Sequence, residues 1–395
     1  MNRKVNQALN FSDLRELARK KLPRGLFEFV DRGTEDEISL KDNRRAYDSI
    51  RLVPRVLRNV SHRTQACEIL GKRSTMPIAI APTGAAGLLW FDGEIAIAKA
   101  ALQAGIPFTL STSSIVSMER VASEAGGRLW FQLYMWPDRQ MSYRLIERAY
   151  SAGYEALIVT VDGSVSTNRE YNTRNGFSLP MKVNRKNFID VMQHPSWFFS
   201  VFARYLYRDG IPVLENYPEE LRRKLTESQG KSKNIPVPKN DSLTWDDLRD
   251  LRKMWKGPLL LKGVLHPDDA KRAVNCGVDG IIVSNHGGRN LDSSVAPIVA
   301  LPRIAEQVNG RVELFLDSSV TRGSDVVKAI AMGAKAVFIG RAPLWGVSAG
   351  GTEGVNVALS IFQEEIGRVM GLAGCSSLDD VAGMVEDGAI HHQPF

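Results

Sequence analysis

Short apolar runs recur along the chain at Pro77–Ala81, Pro107–Ser111, Leu129–Leu133, Leu157–Val161, Leu259–Lys262, Gly280–Ser284, Glu313–Asp317 and Ala336–Gly340. Each is long enough for one buried strand and too short for a buried helix. The segments between them mostly carry apolar residues at helical spacing. Glu94–Gln103 puts Ile95, Ala98 and Leu102 on one face, and Asp138–Ala152 follows the third run. Pro267–Asn275 has acids in its first turn and Lys271 and Arg272 in its last, as the helix dipole favours. Ser324–Met332 reads likewise. Gly105, Gly153, Gly277 and Gly333 close these helices.

Strands alternating with helices predict βαβ units on a parallel sheet. Eight of them predict a closed (β/α)8 TIM barrel, an α/β fold of roughly 250 residues. A doubly wound sheet is the competing architecture, but the first run leads into Pro82-Thr83-Gly84, with no GxGxxG turn. Two regions lie outside the eight units. One is an N-terminal extension, 1–75, with helical patterning at Phe11–Lys21 and Leu26–Arg32; the other is an excursion, about 163–243, after the fourth strand. The excursion is too long for an ordinary barrel loop. The expectation is a single barrel domain over 1–395 with these two additions.

The apolar fraction of 44% and charged fraction of 24% exclude a disordered, collagen-like or multi-pass membrane chain. No apolar stretch approaches the roughly 20 residues of a spanning helix. Met1–Phe11 lacks the apolar core of a signal peptide. Cys67, Cys276 and Cys375 are far apart with no CxxC, which fits a reducing cytosol and predicts neither a disulfide framework nor a metal site. The net charge of +7 is uneven: residues 182–239 hold eleven Lys and Arg against six Asp and Glu.

Polar residues gather where the predicted strands end: Ser111, Gln132, Tyr134, Thr160, Asp162, Lys262, Ser284, His286, Asp317 and Arg341. In a barrel these positions face the C-terminal rim, where active sites are built. Ser284-Asn285-His286-Gly287-Gly288-Arg289 is the most specific segment. Its two glycines let the chain turn sharply beside a ligand and bring His286 and Arg289 to one pocket. A histidine beside a guanidinium suits proton removal from a substrate whose anionic group the arginine holds; a capped turn with an incidental histidine is the plainer alternative. Asp317–Gly323 and Gly340-Arg341 follow strands seven and eight, a frequent phosphate site of this barrel. Lys262 either snorkels to solvent or stabilises an anion. Asp162 could orient His286 and Arg169 could bind a carboxylate, although each alone is more often a surface charge.

Together these motifs resemble the FMN-dependent 2-hydroxy-acid oxidising family, which includes glycolate oxidase, L-lactate dehydrogenase and, closest in character, (S)-mandelate dehydrogenase. The matching segments are Pro82-Thr83-Gly84, Leu110-Ser111-Thr112, Phe131-Gln132-Leu133-Tyr134, Thr160-Val161-Asp162, Leu261-Lys262-Gly263, Ser284–Arg289 with Leu291-Asp292, and Gly340-Arg341. The resemblance implies FMN across the barrel mouth, with Ala81, Pro82, Thr83, Ser111, Gln132, Thr160 and Ser284 at its ring and Lys262 stabilising the reduced ring. It puts the phosphate on Asp317, Ser318, Ser319, Arg322 and Gly323 together with Gly340 and Arg341. His286 would be the base, Asp162 would stabilise its imidazolium, Arg169 and Arg289 would bind the substrate carboxylate, and Tyr134 would hydrogen-bond the substrate. A homotetramer is implied as well.

Two places depart from the pattern. Phe29 stands where the family has a tyrosine that bonds the carboxylate, which removes a contact of about 1 kcal/mol and favours a mandelate-like, bulkier substrate. In the phosphate segment Ser319 replaces a glycine and Thr321 an arginine. Within the excursion, 182–208 carries Lys182, Arg185, Lys186, Arg204 and Arg208 among Phe188, Trp197, Phe198, Phe199, Phe202, Tyr205 and Tyr207. Basic residues interleaved with aromatics suit a membrane surface better than nucleic acid, and His194-Pro195-Ser196-Trp197 resembles the segment of the membrane-associated dehydrogenases. The expectation is a peripheral enzyme on the inner face of the cytoplasmic membrane that passes electrons to a quinone or other acceptor. Deleting residues 185–208 is expected to release it while sparing flavin reduction. The alternatives are a soluble oxidase producing hydrogen peroxide, a family member acting on a peptide or biosynthetic intermediate, and a barrel that has lost its cofactor and serves as a scaffold.

Overall fold

The computed structural model describes residues 4–177, 184–222, 224, 241–382 and 384–385. Three helices come first: α1 (Phe11–Lys21), α2 (Arg24–Asp31) and α3 (Ile38–Ser49). A small antiparallel hairpin follows, β1 (Cys67–Ile69) and β2 (Lys72–Ser74). Eight parallel strands then close a barrel: β3 (Ile78–Thr83), β4 (Phe108–Ser111), β5 (Leu129–Leu133), β6 (Ala156–Thr160), β7 (Leu259–Val264), β8 (Gly280–Val283), β9 (Glu313–Leu316) and β10 (Ala336–Ile339), with β10 beside β3. All eight apolar runs became these strands, shifted by a residue or two. The hairpin escaped the pattern because three-residue strands carry too few positions to show a period.

The period-two alternation of strands explains why chemistry collects at one end. Ala79, Trp130, Ile158, Leu260, Ile282, Phe315 and Phe338 form a core cluster of their own, with Ile69 of the hairpin among them. On the same strand faces, two residues further on, stand Ala81, Gln132, Thr160, Lys262, Ser284, Asp317 and Gly340. Seven of the eight strands thus carry an apolar residue deep in the barrel and, in most cases, a hydrogen-bonding one above it, while β4 has Thr109 below Ser111. Register sets the upper ring level: Ser111 pairs with Gln132, and Thr160 with Lys262.

The N-terminal extension positions the rim. Phe11 of α1 packs on Phe362 of the long final helix at a ring separation of 4.3 Å. The C-terminal carbonyls of α2 and the Arg44 side chain of α3 reach the barrel mouth.

The excursion is not uniformly exposed. Trp197, Val201 and Tyr205 are buried, the Trp197 indole donates to the Leu88 carbonyl at 2.7 Å, and the Tyr205 hydroxyl accepts from the Asp92 amide. Arg204 lies over the Phe91 ring and Arg208 pairs with Asp92. This corrects the expectation for the 185–208 deletion. Removing those residues takes large side chains out of the core, and such losses cost several kcal/mol each. Lys182 lies outside the described residues.

Candidate active site

His286 stands just past β8 on a turn that its sequence makes possible. His286, Gly287 and Gly288 all have left-handed φ, at 58°, 69° and 69°. A Cβ on Gly288 would lie 2.6 Å from the Leu40 amide, so glycine is required there by conformation and by the approach of α3. The His286 amide donates to Ser284 Oγ. The imidazole Nδ1 lies 2.9 Å from Asp162 Oδ1, and Nε2 lies 3.5 Å from the Tyr134 hydroxyl. Burial pushes the His286 pKa below its usual value, against the raising effect of Asp162. Burial, reinforced by Asp162, lifts Tyr134 to about 12. At neutral pH the imidazole is thus an unprotonated base and the phenol a neutral donor.

Facing them are two arginines with no carboxylate partner in the described structure. Arg289 donates to the Arg32 carbonyl at 3.0 Å, and Arg169 donates to the Arg289 carbonyl at 3.3 Å. Arg169 Nε is buried without a partner. Burial, then the neighbouring Arg169, pushes Arg289 down to about 9. Two partly buried cations side by side make a site for an anion. The Phe29 ring lies 5.3 Å from the Arg289 guanidinium and 6.0 Å from that of Arg169. It therefore offers a π face where a hydroxyl would have stood.

Lys262 does not snorkel. It is 4% exposed, with its amine 2.9 Å from Asp317 and 2.8 Å from Ser284 Oγ. Asp317 lines the cavity with its carboxylate turned to Lys262, so its place at the cofactor is beside that amine and its side chain would not hold the phosphate. The reading of Arg322 as a phosphate ligand is corrected. It turns outward onto Glu365 at 2.7 Å, and the Gly323 amide is bound by the same carboxylate. Neither Arg322 nor Gly323 lines the cavity.

That cavity, of about 550 Å3, runs from Phe29, Arg169 and Arg289 past Ala81–Thr83 and Lys262 to Ser318–Thr321 and Gly340-Arg341. Its size falls within the roughly 300–1,000 Å3 of cofactor and ligand sites. Ser318 and Ser319 hold φ of 82° and 58°, values that cost a non-glycine residue roughly 1–2 kcal/mol each. Ser318 is braced by its hydroxyl, which donates to Asp317 and accepts from the Gly287 amide.

The guanidinium missing at Thr321 is supplied from 277 residues away. Arg44 Nη1 donates to Thr321 Oγ1 at 2.9 Å and to the Ser319 carbonyl, and Arg44 forms a two-point pair with buried Asp325. Sequence reading missed Arg44, since no local motif marks it.

FMN fits these residues. Gln132 Nε2 and Thr160 Oγ1 are buried with no partner among the described residues, a state that costs about 1–3 kcal/mol per group. They adjoin Ser111 and Lys262 on the cavity wall. A flat ring bearing donors and acceptors would satisfy them. Arg341, which shares the Val30 and Arg32 carbonyls with Arg289 and also donates to Gly287, and Arg44, paired with Asp325 at the Ser319–Thr321 loop, both line the cavity and would bring guanidinium donors to a phosphate. Of the ring and phosphate contacts named from the resemblance, Ala81–Thr83, Ser111, Lys262, Asp317–Ser319 and Gly340-Arg341 line the larger cavity, Gln132, Thr160 and Ser284 adjoin Ser111 and Lys262 without lining it, and Arg322 and Gly323 lie outside it.

A family model described as FMN-dependent dehydrogenase matches residues 18–386. A putative L-lactate dehydrogenase of Mycobacterium tuberculosis is 39% identical over 381 residues, covering 96% of this chain and 89% of that protein. An L-lactate oxidase of Nostoc is 39% identical over 389 residues, covering 95% and 97%. The crystal structure of a monotopic membrane protein, (S)-mandelate dehydrogenase, superposes with a TM-score of 0.87 at 36% identity, covering 96% and 99% of the two chains.

Proposed function

Because the chain belongs to the FMN-dependent dehydrogenase family, and is thereby an FMN-dependent oxidoreductase of 2-hydroxy acids, we propose that His286 is its base and that Arg169 and Arg289 hold the substrate carboxylate. The observation that carries this is the His286–Asp162 pair facing two partly buried arginines that have no carboxylate partner among the described residues. Held there by its carboxylate, a 2-hydroxy acid presents its hydroxyl and α-hydrogen to Nε2. His286 takes one proton at that atom, Asp162 stabilises the imidazolium at Nδ1, and the neutral Tyr134 hydroxyl donates to the substrate oxygen. FMN, when bound, would supply the acceptor for the two electrons and the second hydrogen of the substrate. Lys262, although paired with Asp317, keeps its ammonium donor on the cavity wall, where it would hydrogen-bond the reduced ring. The substrate leaves as the 2-oxo acid. Anaerobic bleaching of the flavin absorbance by a 2-hydroxy acid, with one 2-oxo acid formed per flavin, tests this reading, and no bleaching by any such acid overturns it.

The electrons pass to a membrane-bound acceptor rather than dioxygen in this proposal. Its support is an apolar face on the excursion. Phe188, Ile189 and Met192 are all more than half exposed on the helix Arg185–Met192, next to exposed Arg185 and Lys186. Phe199, Leu206 and Tyr207, further along the excursion, are exposed as well. Such a face, basic at its rim, suits insertion into an anionic bilayer surface, and a monotopic relative shares the fold. Among the described residues no helix is long and apolar enough to cross a membrane. Rapid stoichiometric peroxide in air would favour the oxidase alternative, while reduction of a quinone analogue favours the dehydrogenase.

A further inference from the structure

A second cavity, of about 230 Å3, adjoins the first. The two share Ser113, Tyr134, Arg169 and His286, so they meet at the acid–base residues. Beyond that junction the smaller cavity is walled by Met135, Trp136 and Val161 from the barrel rim and by Tyr217 and Leu243 from the excursion. Trp136 is buried, and its ring meets Tyr217 edge-on at 5.1 Å. The charged groups on this wall, Arg169 and His286, stand at the junction; beyond them Met135, Trp136, Val161, Tyr217 and Leu243 outnumber the polar Thr160, Ser164 and Asn290, so the lining is mainly but not wholly apolar.

A 2-hydroxy acid carries a carboxylate, a hydroxyl and a side chain on its reacting carbon. With the carboxylate on the arginines, the hydroxyl at His286 and the larger cavity given to the cofactor, the side chain is left with the smaller cavity. The methyl of lactate, about the size of a water molecule at roughly 30 Å3, would leave most of it unfilled. An apolar protein cavity of about 150 Å3 already admits benzene, so 230 Å3 leaves space beyond a phenyl ring. We propose that this cavity is the side-chain pocket, that Trp136, Tyr217 and Leu243 determine specificity, and that the preferred substrate is a 2-hydroxy acid with an arylmethyl or bicyclic aryl group, of which (S)-3-phenyllactate is the simplest. The proposal rests on the 2-hydroxy-acid reading above. It gives the excursion a role at the active site, separate from any at a membrane.

The test compares (S)-lactate, (S)-mandelate and (S)-3-phenyllactate as reductants of the holoenzyme flavin without oxygen. It also measures calorimetric binding of pyruvate and phenylpyruvate, the corresponding 2-oxo acids, to the oxidised holoenzyme. The expected kcat/KM for 3-phenyllactate exceeds that for mandelate and is about tenfold or more above that for lactate, and phenylpyruvate binds more tightly than pyruvate. Leu243→Trp, which fills the pocket outside the proton-transfer residues, is expected to lower kcat/KM for 3-phenyllactate and the affinity for phenylpyruvate about tenfold, and to lower lactate turnover by a smaller factor. Leu243→Ala is expected to keep the parent order. Lactate turnover equal to that of 3-phenyllactate, or a Leu243→Trp variant that loses both substrates equally while staying folded by circular dichroism, overturns the pocket assignment. Absence of bleaching by all three acids overturns the underlying reading instead.

Discussion

His286 Nδ1 lies 2.9 Å from Asp162 Oδ1, while the other carboxylate oxygen of Asp162 is buried with no partner. The aspartate therefore spends its charge on the imidazole. It presents Nε2 toward the substrate side and makes the imidazolium affordable in a buried site. Two opposed effects set the pH behaviour. Burial, the larger, lowers the His286 pKa, and Asp162 raises it. Because the base acts unprotonated, kcat/KM rises with pH through a pKa below the usual 6.5. Replacing Asp162 by Asn removes the raising effect, so the acid limb moves to lower pH and turnover at neutral pH falls about 100-fold or more. A pH profile of flavin reduction measures both, and an unmoved limb would count against the pairing.

His286→Ala is expected to keep one FMN per chain, since the cavity walls that would hold the cofactor do not depend on the imidazole. Turnover should drop by about 10²–10⁴. Flavin content from the visible spectrum and single-turnover bleaching give the two readouts. Parent-like bleaching would refute His286 as the base.

Lys262→Met leaves the Asp317 carboxylate, 7% exposed, without its cation. Breaking a buried pair on one side costs about 3–5 kcal/mol, so the thermal midpoint should fall by several degrees. The double variant Lys262→Met/Asp317→Asn should recover part of that loss while flavin reduction stays slow. Thermal denaturation and stopped-flow bleaching separate the two effects.

Phe29→Tyr puts a hydroxyl beside Arg169 and Arg289, whose guanidinium groups lie within about 6 Å of the ring. One added hydrogen bond of about 1 kcal/mol corresponds to a KM roughly fivefold lower for small 2-hydroxy acids. Steady-state kinetics on lactate would detect it.

The triple replacement Phe188→Ser, Ile189→Ser and Met192→Ser changes only exposed side chains. It should abolish co-sedimentation with vesicles containing anionic lipid and leave flavin bleaching in solution unchanged. Vesicle binding equal to that of the parent would remove the apolar face from the membrane proposal.

The barrel and its chemical end were legible in the chain because both depend on local pattern. Eight apolar runs set the strands, and the period-two alternation put Gln132, Thr160, Lys262, Ser284 and Asp317 above the apolar core of the barrel. The His286-Gly287-Gly288 turn announced itself because only glycines tolerate that backbone so close to Leu40. Tertiary structure alone decided what depends on partners remote in sequence. Asp317 neutralises Lys262 instead of meeting a phosphate, Arg322 turns out to Glu365, and Arg44 brings to Thr321 the guanidinium that the loop lacks. It also divided the aromatics of the excursion, burying Trp197 and Tyr205 while leaving Phe188 and Tyr207 exposed. Composition and spacing say which residues are charged or apolar, but whether a charge is spent on a neighbour or a ring is covered depends on contacts that only the closed fold creates.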